Sequence, residues 1–161
     1  MLKWVPEDQL PKKRMASGVL LFDEHDKLLI VKPSYKNHWS VPGGIIDIGE
    51  SPTNCCVRET LEEVGIILRN PRLVCVDYRS PTDRTNEHVH CIYVADTLNK
   101  DDVGNIIIDN DEIIDYKFVA LSDALDMISP RIKRLIENTG IDRTTQCVFI
   151  LKMANNYNKT L

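Results

Sequence analysis

Apolar and polar positions along the chain change with the short period of strands over most of its length. Ser17–Asp23 and Lys27–Lys32 are apolar runs separated by Glu24-His25-Asp26, a β-hairpin signal. Trp39–Pro42 predicts another strand, entering a Gly43-Gly44 turn where the backbone can approach a ligand closely. Leu73–Arg79 sets Leu73, Cys75 and Asp77 against Val74, Val76 and Tyr78. The polar turn Pro81–Asn86 follows, then a strand over Glu87–Ala95, so the two strands predict a long hairpin. Thr97–Asn105 reads as a polar loop and Tyr116–Val119 as a strand. Ser122 is expected to cap a short helix, and Pro130 to open a second one ending near Gly140. Gln146–Met153 is apolar enough for a strand or a packed tail.

The exception to this short period is Pro52–Val64. Ser51 suits the N-cap, Pro52 the first helical position and Gly65 the position after the last turn, which predicts a helix of about three and a half turns. At about 100° per residue, Val57, Leu61 and Val64 share one side and are expected to pack into the core. Glu59, Glu62 and Glu63 gather on nearly the opposite side. Like charges three and four residues apart repel by a few tenths of a kcal/mol per pair. A cation between them would reverse that sign, and oxygen-only donors suit Mg²⁺ or Mn²⁺ better than zinc. On the helix alone a solvated acidic face is an equal reading.

The flanking residues decide between those readings. Gly44, five residues, Glu50, seven residues, Arg58-Glu59, two residues, Glu62-Glu63, one residue, Gly65 and Ile66 match the Nudix box at every charged and glycine position. Thr60 departs from the aliphatic preference of that pattern and is expected on the buried side of the helix. From about Ser17 to about Asn138 the chain resembles a Nudix hydrolase. The resemblance implies an α/β fold, the Nudix-type α/β/α sandwich around a mixed β-sheet. It divides the chain into a leader (1–15), a Nudix hydrolase domain (16–140) and a C-terminal strand or tail (141–161).

The resemblance also implies a chemistry. A metal-dependent pyrophosphohydrolase would cleave a nucleoside diphosphate linked to another moiety, with Mg²⁺ or Mn²⁺ as cofactor. Glu59, Glu62 and Glu63 would hold the metal with the main-chain carbonyl of Gly44. Glu59 or Glu63 is the candidate base, and Arg58 with Glu50 would orient the carboxylates. Some Nudix enzymes take a further acid from a later loop, for which Glu112 is the first candidate here, ahead of Asp111 and Asp115.

Composition narrows the partners. A net charge of −4 argues mildly against a nucleic-acid backbone. It is compatible with a small anionic substrate, such as the small nucleotide that the resemblance implies, if a metal ion supplies positive charge. Only Lys12-Lys13-Arg14 offers a basic path, too short to favour RNA decapping. The five cysteines include no Cys-x-x-Cys pair and read as reduced, mostly buried residues of a cytoplasmic protein. No stretch is long enough for a membrane span, and no signal peptide is expected. Trp4 is expected to pack a surface arm on the domain, with partner binding as the alternative. His88 and His90 share a strand face without a third ligand for zinc, so they are expected to face water or substrate.

Specificity is less legible. Pro81 lies fifteen residues after Ile66, a spacing similar to that of ADP-ribose pyrophosphatases. A turn-opening proline explains it as well. Arg79 or Arg84 could then meet a ribose or phosphate. The alternatives are a nucleotide-pool sanitising triphosphate pyrophosphatase acting on oxidised guanine nucleotides, and a non-catalytic Nudix-fold binding module. Many small Nudix enzymes are dimers, which leaves a homodimer open.

Overall fold

A computed structural model describes residues 5–10, 12–81, 86–146 and 149–153, of which 149 and 151–153 are described in their backbone alone. Trp4, Arg84, Cys147 and the tail beyond Met153, about which the sequence raised expectations, lie outside the described residues.

The strands are β1 (Arg14–Leu20), β2 (Leu28–Pro33), β3 (Gly43–Ile45), β4 (Arg72–Arg79), β5 (His88–Val94), β6 (Ile113–Val119) and β7 (Phe149–Met153). Five of them form a mixed sheet in the order β3-β1-β5-β4-β7, and β2 pairs with β6 in a second, two-stranded sheet. β1 runs parallel to β5, and β4 parallel to β7, whereas β4 and β5 form the expected antiparallel hairpin. The helices are α1 (Pro52–Val64), α2 (Lys100–Gly104), α3 (Leu121–Met127) and α4 (Pro130–Thr139).

Strand alternation divides the interior in two. Leu20, Ile92 and Val94 point into a core that also holds Ala124 of α3 and Ile132, Leu135 and Ile136 of α4. Their sequence neighbours Val19, Cys91 and Tyr93 point the other way, into a core with Cys56 and Val64 of α1. With successive side chains on opposite faces, one sheet serves both cores, and the layers are those of an α/β/α sandwich.

α1 has the predicted ends. Ser51 Oγ accepts from Asn54 N–H at 3.1 Å, Pro52 opens the helix, and Gly65 closes it at φ 72°. Its roll about its own axis differs from the expectation. Leu61 is 47% exposed, while Cys55, Cys56, Thr60, Glu63 and Val64 are buried. The buried stripe is turned by roughly one residue step of 100° from Val57-Leu61-Val64. Small side chains explain this, because Cys55, Cys56 and Thr60 let α1 approach β1 and β3 closely. The Thr60 hydroxyl donates to Cys56 O at 2.7 Å, so its burial leaves no unpaired donor. Leu61→Ala should therefore change unfolding free energy by only about 0.5 kcal/mol, whereas Leu29→Ala, at a fully buried site, should lose about 2–5 kcal/mol. Urea denaturation checks the pair, and the reverse order would mean that α1 packs through its Leu61 side.

Other expectations shift as well. Trp39–Pro42 makes only isolated bridges, Ser40 with Val31 and Trp39 with Ile128, and the regular strand begins at Gly43. The turn between β1 and β2 is present, but β2 leaves the large sheet to pair with β6. Thr97–Asn105 contains α2, whose Asn99 and Asp102 form a reciprocal capping box. α3 starts at Leu121 without a side-chain cap, so Ser122 lies inside it. α4 has Ser129 as cap, Pro130 at its first position and Gly140 after its end.

Candidate active site

Strand β3 lies on the sheet edge, and α1 packs across it with its acidic residues turned to the same edge. Two glycines make this possible. Gly43 has φ 142°, a conformation L side chains rarely adopt, and a Cβ there would stand 2.2 Å from Ser17 O. At Gly44 a Cβ would stand 2.3 Å from the Glu59 carboxyl carbon, so the carboxylate occupies the space a side chain would need. Glu63, nearly fully buried, accepts from Gly43 N–H at 2.9 Å. Ser17 Oγ donates to Pro52 O at 2.8 Å and fixes the start of α1 against β1.

Arg58 ties the acidic residues together. Its Nε and Nη2 donate to the two oxygens of Glu50, each at 2.9 Å, in a bidentate pair. Its Nη1 donates to Glu59 Oε1 at 2.9 Å and to Glu62 Oε2 at 3.0 Å, and Nη2 reaches Ile45 O at 3.3 Å. The guanidinium holds the Glu50 carboxyl down at about 2. Burial acts oppositely further in. It raises Glu59 and pushes Glu63 up to about 8, with the nearby charges of Glu59 and Glu112 adding to the shift of Glu63.

Glu112 reaches the same cleft from the loop before β6. The Asp109 carboxylate accepts from the N–H groups of Asp111, Glu112 and Ile113, which folds that loop, and Glu112 O accepts from Ser34 N–H at 2.8 Å. Gly44, Glu59, Glu62 and Glu112 line one cleft of about 1000 Å³, while Asp111 and Asp115 are not among its walls.

Among the described residues, no three acidic, imidazole or thiol groups already stand in metal-ligand geometry. The described bonds use one oxygen each of Glu59, Glu62 and Glu63, so the second oxygen of each is the donor a cation could take. Crowded carboxylates, two of them (Glu59 and Glu63) with raised proton affinity, and hard oxygen donors against a glycine backbone are a setting that fits a hard divalent ion.

Of the rest of the cleft and its ion pairs, the sequence pointed to Arg79, His88 and His90 but not to Arg14, Asp77, Arg131 or Arg134. Arg79, His88 and His90 line it, as does Arg14 from β1, and α4 contributes Arg131 and Arg134. Asp77, fully buried, accepts from Arg134 Nη2 at 2.7 Å and lies 3.5 Å from Arg131 Nε. The signal available was a charged residue within an apolar strand, which requires a buried partner. Burial holds His90 at about 3, so its ring is neutral.

A family model for the NUDIX domain matches residues 12–139. The human diphosphoinositol polyphosphate phosphohydrolase 3-alpha is 32% identical over 88 residues, which cover 54% of this chain and 54% of that protein. The chain thus matches about half the length of such curated relatives. The MutT protein from Methanosarcina mazei Go1 superposes with a TM-score of 0.67 at 20% identity, covering 82% of this chain and 96% of that one. The NUDIX domain of Shewanella oneidensis NrtR, complexed with ADP ribose, superposes with a TM-score of 0.67 at 23% identity, covering 83% and 90%.

Proposed function

The chain belongs to the Nudix family, and we propose that it is a divalent-metal-dependent pyrophosphohydrolase cleaving a nucleoside diphosphate linked to another moiety. The observation that carries this reading is the gathering of Glu59, Glu62, Glu63 and Glu112 about the Gly43-Gly44 backbone, with Glu59 and Glu62 both held by Arg58. A non-catalytic module would have no need to bury Glu63 and partly bury Glu59 beside two further acids.

In this reading Glu59, Glu62, Glu63 and the carbonyl of Gly44 would hold Mg²⁺ or Mn²⁺, with Glu112 as an additional donor. The bound ion supplies positive charge for the diphosphate and acidifies a water. Arg58, anchored on Glu50, aims Glu59 and Glu62 and keeps them from splaying apart. Glu63 is aimed by Gly43 N–H, and either Glu59 or Glu63 accepts the proton of the attacking water. The water oxygen bonds one phosphorus, the bridging P–O bond breaks, and the bridging oxygen leaves with the other phosphate.

ADP-ribose, giving AMP and ribose phosphate, is the first substrate to test. The Shewanella neighbour was crystallised with that compound, and Arg79 lies in the cleft wall. The human relative's name points to diphosphate groups on a phosphorylated ring. A screen over ADP-ribose, dinucleotides, diphosphoinositol phosphates and nucleoside triphosphates with Mg²⁺ tests the reading. Hydrolysis confined to an oxidised guanine nucleoside triphosphate would replace it with the pool-sanitising alternative.

Metal should also register without turnover. Millimolar Mg²⁺ or Mn²⁺ is expected to raise the melting temperature by several degrees, because a ligand of the native state alone stabilises by mass action. EDTA should reverse the shift, and an unchanged melting curve would count against the carboxylate site.

A further inference from the structure

The cleft has a second charged end. In the sheet register Arg14 stands beside His88 and His88 beside Arg79, while Ala16, His90 and Asp77 form the next row on the same face. Helix α4 lies over these rows, and Ser129, Pro130, Arg131 and Ile132 bring its N-terminus into the cleft wall. Arg14, Arg79, Arg131 and Arg134 thus gather here, and among the described residues the carboxylate bonded to them is Asp77, paired with Arg134 at 2.7 Å.

Arg131 is left short of partners. Its Nε stands 3.5 Å from Asp77 Oδ2, and both Nε and Nη2 are buried without a hydrogen bond among the described residues. Buried donors without acceptors, surplus guanidinium charge and the positive end of a ten-residue helix all call for the same thing, an anion.

We propose that this end of the cleft is a subsite for a phosphate monoester carried by the substrate away from its diphosphate bridge, so that multiply phosphorylated diphosphates are preferred. A dianion with several oxygens suits several guanidinium groups better than one carboxylate would. The strand order separates β3, with Gly44, from β4, with Asp77 and Arg79, by three strand spacings, about 14 Å. That separation sets the subsite apart from the carboxylates around Gly44 and within one extended substrate. The proposal rests on the pyrophosphohydrolase reading for its identification of the ligand as substrate, and it ranks a multiply phosphorylated diphosphate ahead of the nucleoside diphosphate conjugate named there.

The test uses the full chain with two probes, ADP-ribose, which has no phosphate monoester, and diphosphoinositol pentakisphosphate, which has five. Calorimetric titration in EDTA measures binding without turnover, and hydrolysis with Mg²⁺ is followed separately. The wild type is expected to bind the inositol compound at least tenfold tighter than ADP-ribose. Arg131→Gln should reduce that preference at least tenfold, and Arg131→Lys, keeping charge but not the planar fork, should fall between. Arg14→Gln, at an exposed strand end, supplies a variant with little risk to folding and should reduce the preference in the same direction.

Equal affinity for the two probes, or a preference indifferent to Arg131 and Arg14, overturns the subsite. Inorganic phosphate binding as tightly as the inositol compound would overturn its assignment to substrate. If Arg131-dependent binding is found while no compound of the wider screen is hydrolysed, the anion site stands and the pyrophosphohydrolase reading fails.

Discussion

Glu63→Gln is expected to lower kcat/KM by about 10²–10⁴-fold while the protein stays folded. As a proposed metal ligand or proton acceptor, the carboxylate is lost in either role. The amide oxygen can still accept from Gly43 N–H, the bond that seats this side chain at 2.9 Å. Steady-state hydrolysis with saturating Mg²⁺ measures the effect, and activity within threefold of wild type would remove Glu63 from the site.

The same substitution has a pH signature. Burial raises the folded-state affinity of Glu63 for its proton to a pKa of about 8, above the ordinary carboxylate value of 4.5. A raised folded pKa contributes stability that is present below the unfolded pKa and is lost as pH rises through the folded one. In EDTA, the stability of Glu63→Gln relative to wild type should therefore increase between about pH 4.5 and pH 8. Melting temperatures across that range check the sign, which Mg²⁺ should weaken by offsetting the charge.

The second large effect is expected at Arg58. Arg58→Ala should reduce kcat/KM or apparent Mg²⁺ affinity by about 10–100-fold, the usual consequence of losing a group that orients metal ligands, the role proposed for Glu59 and Glu62. Glu50, Glu59 and Glu62 all bond its guanidinium. Arg58→Lys should recover only part, because one ammonium cannot reproduce the bidentate pair with Glu50 while also reaching the other two. A magnesium titration of activity separates the cases, and a wild-type curve for Arg58→Lys would show that charge alone suffices.

Local chemistry made α1 and its surroundings legible. Ser51, Pro52 and Gly65 determine where the helix begins and ends because capping involves only neighbours in sequence. The spacing from Gly44 to Ile66 carried the family, and with it the α/β/α sandwich. The Asn99–Asp102 capping box was equally local, but the surrounding polarity hid α2 within an apparent loop.

What the sequence could not supply was the roll of α1 and the far end of the cleft. Periodicity favours the largest apolar side chains, so it turned Leu61 inward. Close packing against β1 and β3 instead selected the small Cys56 and Thr60, leaving Leu61 47% exposed. Arg14, Asp77 and Arg131 come from two strands and a helix, and nothing near each in sequence announces the others. Capping, glycine conformation and box spacing are short-range and were determined by the chain itself. Helix roll and the arginine cluster depend on which surfaces meet across the sheet, and only the tertiary structure decided them.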